Sequence, residues 1–154
     1  MAKSVPAIIL AAGASSRLGQ PKSLVQWQGE TLVGRAVRLL KQSNCSPIVV
    51  VTRSDLQIDV MLSCPDSTIV VNPNPEHGRT GSLQVGLISL ISELGRTPRR
   101  VLVSPVDRCG WTVKTVSRLL EYNENTSPMP SGHPLLLCEI EKILLLYTSN
   151  STYF

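Results

Sequence analysis

Arg17 and Lys22 follow directly on a run of small residues, Ala11, Ala12, Gly13, Ala14, Ser15 and Ser16. Small side chains let backbone N–H groups come close to a ligand, and Gly13 has no Cβ to keep one away. A guanidinium and an ammonium beside such amides are what a polyphosphate requires. The plainer reading is a strand-to-loop turn with two solvated basic residues. Spacing excludes two other phosphate motifs. A P-loop needs Gly directly before Lys and Ser or Thr directly after it, but Gln20 and Pro21 separate Gly19 from Lys22. Gly13 and Gly19 do not supply the G-x-G-x-x-G of a dinucleotide fingerprint. A second chemical residue is Asp107, which follows the apolar run Val101-Leu102-Val103 and Ser104-Pro105-Val106. It could cap a helix starting near Thr112 or pair with Arg108. Opposite a phosphate loop it reads instead as a Mg²⁺ ligand, because Mg²⁺ prefers one or two carboxylates together with phosphate oxygens and water.

These residues need elements that bring them together. Ile8-Ile9-Leu10 has the unbroken apolar character of a strand buried on both faces. Leu24 to Trp27 reads as a short extended piece, and Gly29 turns the chain into a helix from about Thr31. Leu32, Ala36, Leu39 and Leu40 form its apolar face, with Arg35, Arg38 and Lys41 toward water. Pro47 closes this unit. Ile48 to Val51 is a second strand, Ser54 the expected N-cap of a short helix through Asp59 and Leu62, and Ile69 to Val71 a third strand. The turn-rich segment Asn72 to Arg79 leads into a helix carrying Leu83, Leu87, Leu90, Ile91 and Leu94. Val101 to Val103 is the fourth strand, Thr112 caps a helix through Val116, Leu119 and Leu120, Asn123 to Ser131 is a loop, and Pro134 to Leu137 is a fifth strand. This rhythm predicts an α/β fold with a mostly parallel sheet, whose ligand crevice lies beyond the strands' C-terminal ends.

At 154 residues, 42% hydrophobic and 17% charged, the chain fits one globular domain over 1–154 with a core of its own. The formal charge of +4 suits an anionic small molecule. Lys and Arg are scattered and aromatic residues make up 4%, which argues against nucleic acid. No apolar run approaches the about 20 residues of a membrane-spanning helix, which argues against a membrane. Cys45, Cys64, Cys109 and Cys138 form no C-x-x-C pair and no signal peptide precedes the first strand, so a reducing cytoplasm is the expected setting.

The segment Leu10-Ala11-Ala12-Gly13-Ala14-Ser15-Ser16-Arg17-Leu18-Gly19-Gln20-Pro21-Lys22 resembles the L-A-[AG]-G-x-S-x-R-[ML]-G-x-x-K signature of the molybdenum-cofactor nucleotidyltransferase-like family. Asn72-Pro73 with Gly78, Ser82-Leu83 and Gly86-Leu87 resembles its N-P…G…S-L…G-L segment. Pro105-Val106-Asp107 is similar to its P-x-D metal strand, and Gly132-His133-Pro134 to its G-H-P turn. These matches run in order to about Leu137. The resemblance implies a Rossmann-like three-layer sandwich of glycosyltransferase-A type. It also implies transfer of a nucleoside monophosphate from a nucleoside triphosphate to a phosphate-bearing acceptor, with release of pyrophosphate. By the same resemblance, Leu10, Ala11, Ala12 and Gly13 hold base and ribose, Arg17 the β- and γ-phosphates, Lys22 the α-phosphate and Asp107 the Mg²⁺. Gly78 and Ser82, at a helix N-terminus, together with His133, receive the acceptor.

The Ala-Ala-Gly form of the loop is similar to the cytidylyl-transferring members, which favours CTP with a molybdopterin acceptor. Sugar-phosphate nucleotidyltransferases share the loop, and a nucleotide-binding or regulatory relative with little catalysis is a further alternative. Relatives run on past the G-H-P turn to a D-x-D-T-P-like segment with another acidic ligand, so this chain reads as shortened at its C-terminus. Glu139 and Glu141 are the candidates to replace that ligand, and Cys109 stands where many relatives have Pro. Leu135 to Leu137 and Ile143 to Leu146 are too apolar for water and are expected to fold back on the sheet or to pair with a second copy as a homodimer.

Overall fold

The computed structural model describes residues 4–13, 19–129 and 132–144. Arg17, Leu145 and Leu146 lie outside the described residues, so their expected places are not tested by it. In chain order the elements are β1 (Val5–Leu10), β2 (Gln26–Trp27), β3 (Glu30–Thr31), α1 (Leu32–Gln42), β4 (Cys45–Thr52), α2 (Gln57–Ser63), β5 (Thr68–Val71), α3 (Arg79–Leu94), β6 (Arg100–Pro105), α4 (Val113–Leu119) and β7 (Leu135–Cys138). Five strands form one sheet in the order β5-β4-β1-β6-β7. β1 is central and parallel to both β4 and β6, β4 is parallel to β5, and β7 runs antiparallel to β6.

All six residues of β1 are buried, which is why its sequence is continuously apolar rather than alternating. Even-numbered and odd-numbered positions then serve different cores. Ala7 and Ile9 pack with Val33, Val37, Leu40, Val60, Val116 and Trp111 on the α1–α2–α4 face. Ile8 and Leu10 pack with Val49, Val51, Leu87 and Leu90 under α3. The sheet thus lies between two helical layers, the expected three-layer α/β sandwich. The chain moves outward from β1 to β4 and β5, then α3 carries it back across the sheet to β6. That reversal opens a crevice at the C-terminal ends of β1 and β6.

Leu136 and Ile140 are fully buried, while Ile143 and Leu144 pack at the edge of the α3-side core. The apolar C-terminal run therefore folds back on its own sheet as far as it is described. Several local expectations need correction. The extended piece expected over Leu24 to Trp27 starts one residue later, because Leu24 closes a 3-10 turn over Lys22–Leu24, with Leu24 N donating to Pro21 O at 3.1 Å and Val25 N to Lys22 O at 3.2 Å. Pro47 does not close a unit but lies inside β4, within the register shift between the Val5–Cys45 and Ala7–Ile48 pairs. Ser54 is not an N-cap; it begins a 3-10 turn, and Arg53 before it pairs with Asp55. Arg35 is drawn inward, because its guanidinium donates to Cys109 O at 2.7 Å and Trp111 O at 3.2 Å and stacks on Trp27.

Candidate active site

The backbone of β1 is tied on both sides where it enters the crevice. Ala11 N donates to Val51 O at 2.8 Å, and Leu10 O accepts from Val106 N at 3.0 Å. The small-residue loop and the residues just before Asp107 are therefore held side by side by ladder-like bonds. Beyond them lies a cleft of about 300 Å³. Leu10 to Gly13, Lys22, Gly78, Arg79, Ser82 and Asp107 line it. Sites read from three separate stretches of sequence meet in this one space.

Lys22 is set by the 3-10 turn, whose middle residue Ser23 is buried. Its Nζ lies 3.8 Å from Asp107 Oδ2, so the cation of the first loop faces the carboxylate after β6. Asp107 neither caps α4 nor pairs with Arg108. Thr112 N instead donates to Thr115 Oγ1 at 3.2 Å, and among the described residues the cations on Asp107 are Lys22 and Arg79.

The opposite side of the cleft arises from the β5–α3 connection. Asn72 is buried, donates from Nδ2 to Ser82 Oγ at 3.0 Å and accepts at Oδ1 from Asn74 N at 2.9 Å. One side chain thereby fixes the loop and the first turn of α3. Gly78 precedes α3 with φ +85°, a backbone conformation that an L side chain rarely adopts. Ser82 is 4% exposed, so it reaches the cleft only at its edge. His133 is half-buried rather than in the cleft lining. Burial lowers its pKa first, and the charges of Arg108 and Arg79 lower it further against the opposing pull of Asp107.

Glu139 and Glu141 lie elsewhere. β7 runs antiparallel to β6 with Cys138 opposite Arg100, which puts both at the end of the sheet away from Asp107. They border a different hollow, with Ser4, Val5 and Arg99. Neither can supply a second carboxylate to the cleft. Among the described residues no group of three or more His, Cys, Asp or Glu could cage a metal. The donor set at the cleft is one carboxylate beside cations, which fits a divalent ion carried in on phosphates and does not fit an all-protein cage.

Two residues escaped the sequence reading. Arg79 shares the Asp107 oxygen at 3.5 Å, and its signal was a cation in the first turn of a helix that opens at a strand's C-terminal mouth. Arg35 ties α1 to the backbone just beyond Asp107, and no local pattern announces a helix arginine whose partners are carbonyls more than 70 positions away.

A mostly parallel sheet with a crevice of about 300 Å³ at its switch point, lined by a small-residue loop, a lysine and an acidic residue, is the arrangement of the α/β class that binds ligands beyond the strands' C-terminal ends. Residues 7–138 match the model of the MobA-like NTP transferase domain, and the chain belongs to that family of nucleotidyltransferases. It is 31% identical over 148 residues to nicotine blue oxidoreductase of Paenarthrobacter nicotinovorans, covering 86% of this chain and 70% of that one. It is 44% identical over 55 residues to a probable molybdenum cofactor guanylyltransferase of Bacillus cytotoxicus, covering 36% of this chain and 27% of that one. The matched stretch thus spans well under two thirds of the molybdenum-cofactor relative. Among solved structures, a nucleotidyl transferase from Methanothermobacter thermautotroptrophicus superposes with a TM-score of 0.72 at 20% identity, over 95% of this chain and 76% of that one.

Proposed function

We propose that this domain transfers a nucleoside monophosphate from a nucleoside triphosphate, CTP first, to a phosphate-bearing acceptor such as molybdopterin. The observation that carries the reading is the meeting of Lys22 and Asp107, 3.8 Å apart, at a cleft lined by Leu10, Ala11, Ala12 and Gly13. An oxygen of the acceptor's phosphate forms a bond to the donor's α-phosphorus. The bond from that phosphorus to the β-bridging oxygen breaks, and the electron pair leaves with pyrophosphate. Such transfers depend on positioning and on neutralising charge at the transferring and leaving oxygens. Lys22 offers a cation to the α-phosphate, Arg17 to the β- and γ-phosphates, and the small-residue loop lets base and ribose lie against backbone. Gly78 and Ser82 border the acceptor's side, and His133, outside the cleft lining, reaches it through its charge interactions with Arg79 and Asp107. Asp107 would hold Mg²⁺, which supplies charge neutralisation on the phosphate oxygens when bound.

The test is pyrophosphate release from CTP and GTP with a panel of phosphate acceptors and Mg²⁺. Asp107→Asn should abolish the dependence of nucleotide binding on the divalent ion while the fold persists. Lys22→Ala should lower kcat more than it weakens nucleotide binding, because its contact strengthens as charge develops. Mg²⁺-stimulated binding equal in wild type and Asp107→Asn would sink the site, and preference for GTP would shift the base to guanine.

A second reading has one observation in its favour: a relative 31% identical over 148 residues is named an oxidoreductase. Under that reading the cleft takes a dinucleotide cofactor. Consumption of reduced nicotinamide without any pyrophosphate release would select it.

A further inference from the structure

Asp107 has one carboxylate oxygen that serves two cations. Lys22 Nζ lies 3.8 Å from Oδ2 and Arg79 Nη2 lies 3.5 Å from the same atom. A divalent ion that takes that oxygen is repelled by both cations and binds more tightly when one of them withdraws. Lys22 has its backbone held by a hydrogen-bonded 3-10 turn, and its side chain, 41% exposed, is the less exposed of the two cations. Arg79 is the first residue of α3, its side chain is 58% exposed, and the glycine before it gives the helix no side-chain cap. Arg79 is therefore the partner free to leave. Its Cα stays fixed at the helix start, so the guanidinium remains over the cleft beside Gly78 and Ser82. There its planar fork of donors matches a phosphate's oxygens.

We propose that Arg79 alternates between two partners: the Asp107 carboxylate before substrate arrives, and a substrate phosphate once a divalent ion occupies Asp107. The proposal rests on the reading of Asp107 as the metal-binding carboxylate. In the first state Arg79 keeps Asp107 neutralised and the ion weakly bound. In the second it becomes a phosphate ligand, so the ion and the phosphate recruit one another. The arginine thus couples metal loading to phosphate capture.

Calorimetric titration of Mn²⁺ alone into wild type, Arg79→Gln, Arg79→Lys and Asp107→Asn reads the first half. Arg79→Gln should tighten Mn²⁺ binding by roughly two- to five-fold, the worth of an exposed ion pair, and Arg79→Lys should stay near wild type. The second half is read with Mn²⁺ saturating. A non-hydrolysable CTP analogue tests the donor's phosphates, and inorganic phosphate added to the analogue complex tests the acceptor's. Arg79→Gln should weaken one of these two by about ten-fold, identifying which phosphate Arg79 holds, as expected for a charged hydrogen bond. Weaker or unchanged Mn²⁺ binding in Arg79→Gln, with binding lost in Asp107→Asn, overturns the proposal and leaves the metal reading standing. Phosphate binding unchanged in both arms overturns it as well. If Asp107→Asn binds Mn²⁺ as wild type does, the metal reading fails and the proposal falls with it.

Discussion

At the residue scale the cleft holds charges that pair with one another. Asp107 is stabilised by Lys22 and Arg79, and His133 lies within reach of the Arg79, Arg108 and Asp107 charges. Burial and the two arginines favour the neutral imidazole, so His133 should titrate below the ordinary 6.5. The unfolded chain, with an unshifted histidine, then binds a proton that the native chain does not. Stability contributed by this group is complete above pH 6.5 and declines as pH falls from there toward the native pKa. NMR titration, with His133→Asn to identify the resonance, should give the lowered value. Arg79→Gln should move it part of the way back up, and a native value at or above 6.5 would contradict this electrostatic picture. The cysteines follow the same logic of burial. Cys45 is pushed up to about 12 by desolvation and Cys64 is also raised, so neither is a reactive thiolate near neutrality. A thiol reagent should modify Cys109, which alone of the four is not buried, well before the others. Equal rates at all four would mean that the core opens readily.

At the element scale, the close seating of α3 on the sheet sets the height of its N-terminus over the cleft. Gly86 faces β1 and β4, and a Cβ built there would stand 2.8 Å from Ile8 Cγ2 and 3.1 Å from Val51 Cγ2. Both contacts are branched methyls inside the core, which have no solvent to swing into. Gly86→Ala gains helix propensity but overpacks this contact, and the expected net cost is about 1–3 kcal/mol. Urea denaturation measures it. An unchanged or raised midpoint would show that α3 can lift without penalty. The opposite face relies on caps and pairings. Thr31 accepts from Gly34 N at 3.0 Å and starts α1, while Glu30 takes both guanidinium nitrogens of Arg38, at 2.6 and 3.1 Å. The short β2–β3 hairpin is thereby tied to α1, and Arg35 extends the same helix to the backbone beyond Asp107.

For the whole molecule, one sheet is shared by both cores, because successive residues of β1, β4 and β6 point to opposite helical layers. Neither layer can melt without exposing a strand that supports the other. We expect a single cooperative unfolding transition for a single domain. Trp111, buried on the α1–α2–α4 face, reports one layer when Trp27 is replaced by Phe, and far-UV circular dichroism reports all the helices. The two curves should coincide in urea; separated midpoints would divide the chain into independent units. No helix among the described residues is long and apolar enough to cross a membrane.

The sequence by itself determined the strand–helix order, the central buried strand, the small-residue loop at the crevice and the placing of Asp107 at a strand's end. Each follows from information within about 20 residues: apolar runs, turn chemistry and the small-residue loop. Lys22 and Asp107 were legible as chemistry, and so were Leu10 to Gly13, as parts of the resemblance. What only the tertiary structure decided is who meets whom. Parallel pairing of β1 with β6 brings Lys22 to Asp107, and the crossover through α3 brings Arg79 to the same oxygen, although 28 positions separate Arg79 from Asp107. The antiparallel turn of β7 sends Glu139 and Glu141 to the far end of the sheet. Charges on a helix read as solvent-facing by period alone, and Arg35 departs from that reading because distant carbonyls satisfy its guanidinium. Spacing along the chain carries periodicity, whereas strand order and direction, set by packing two cores against one sheet, choose the partners of each side chain.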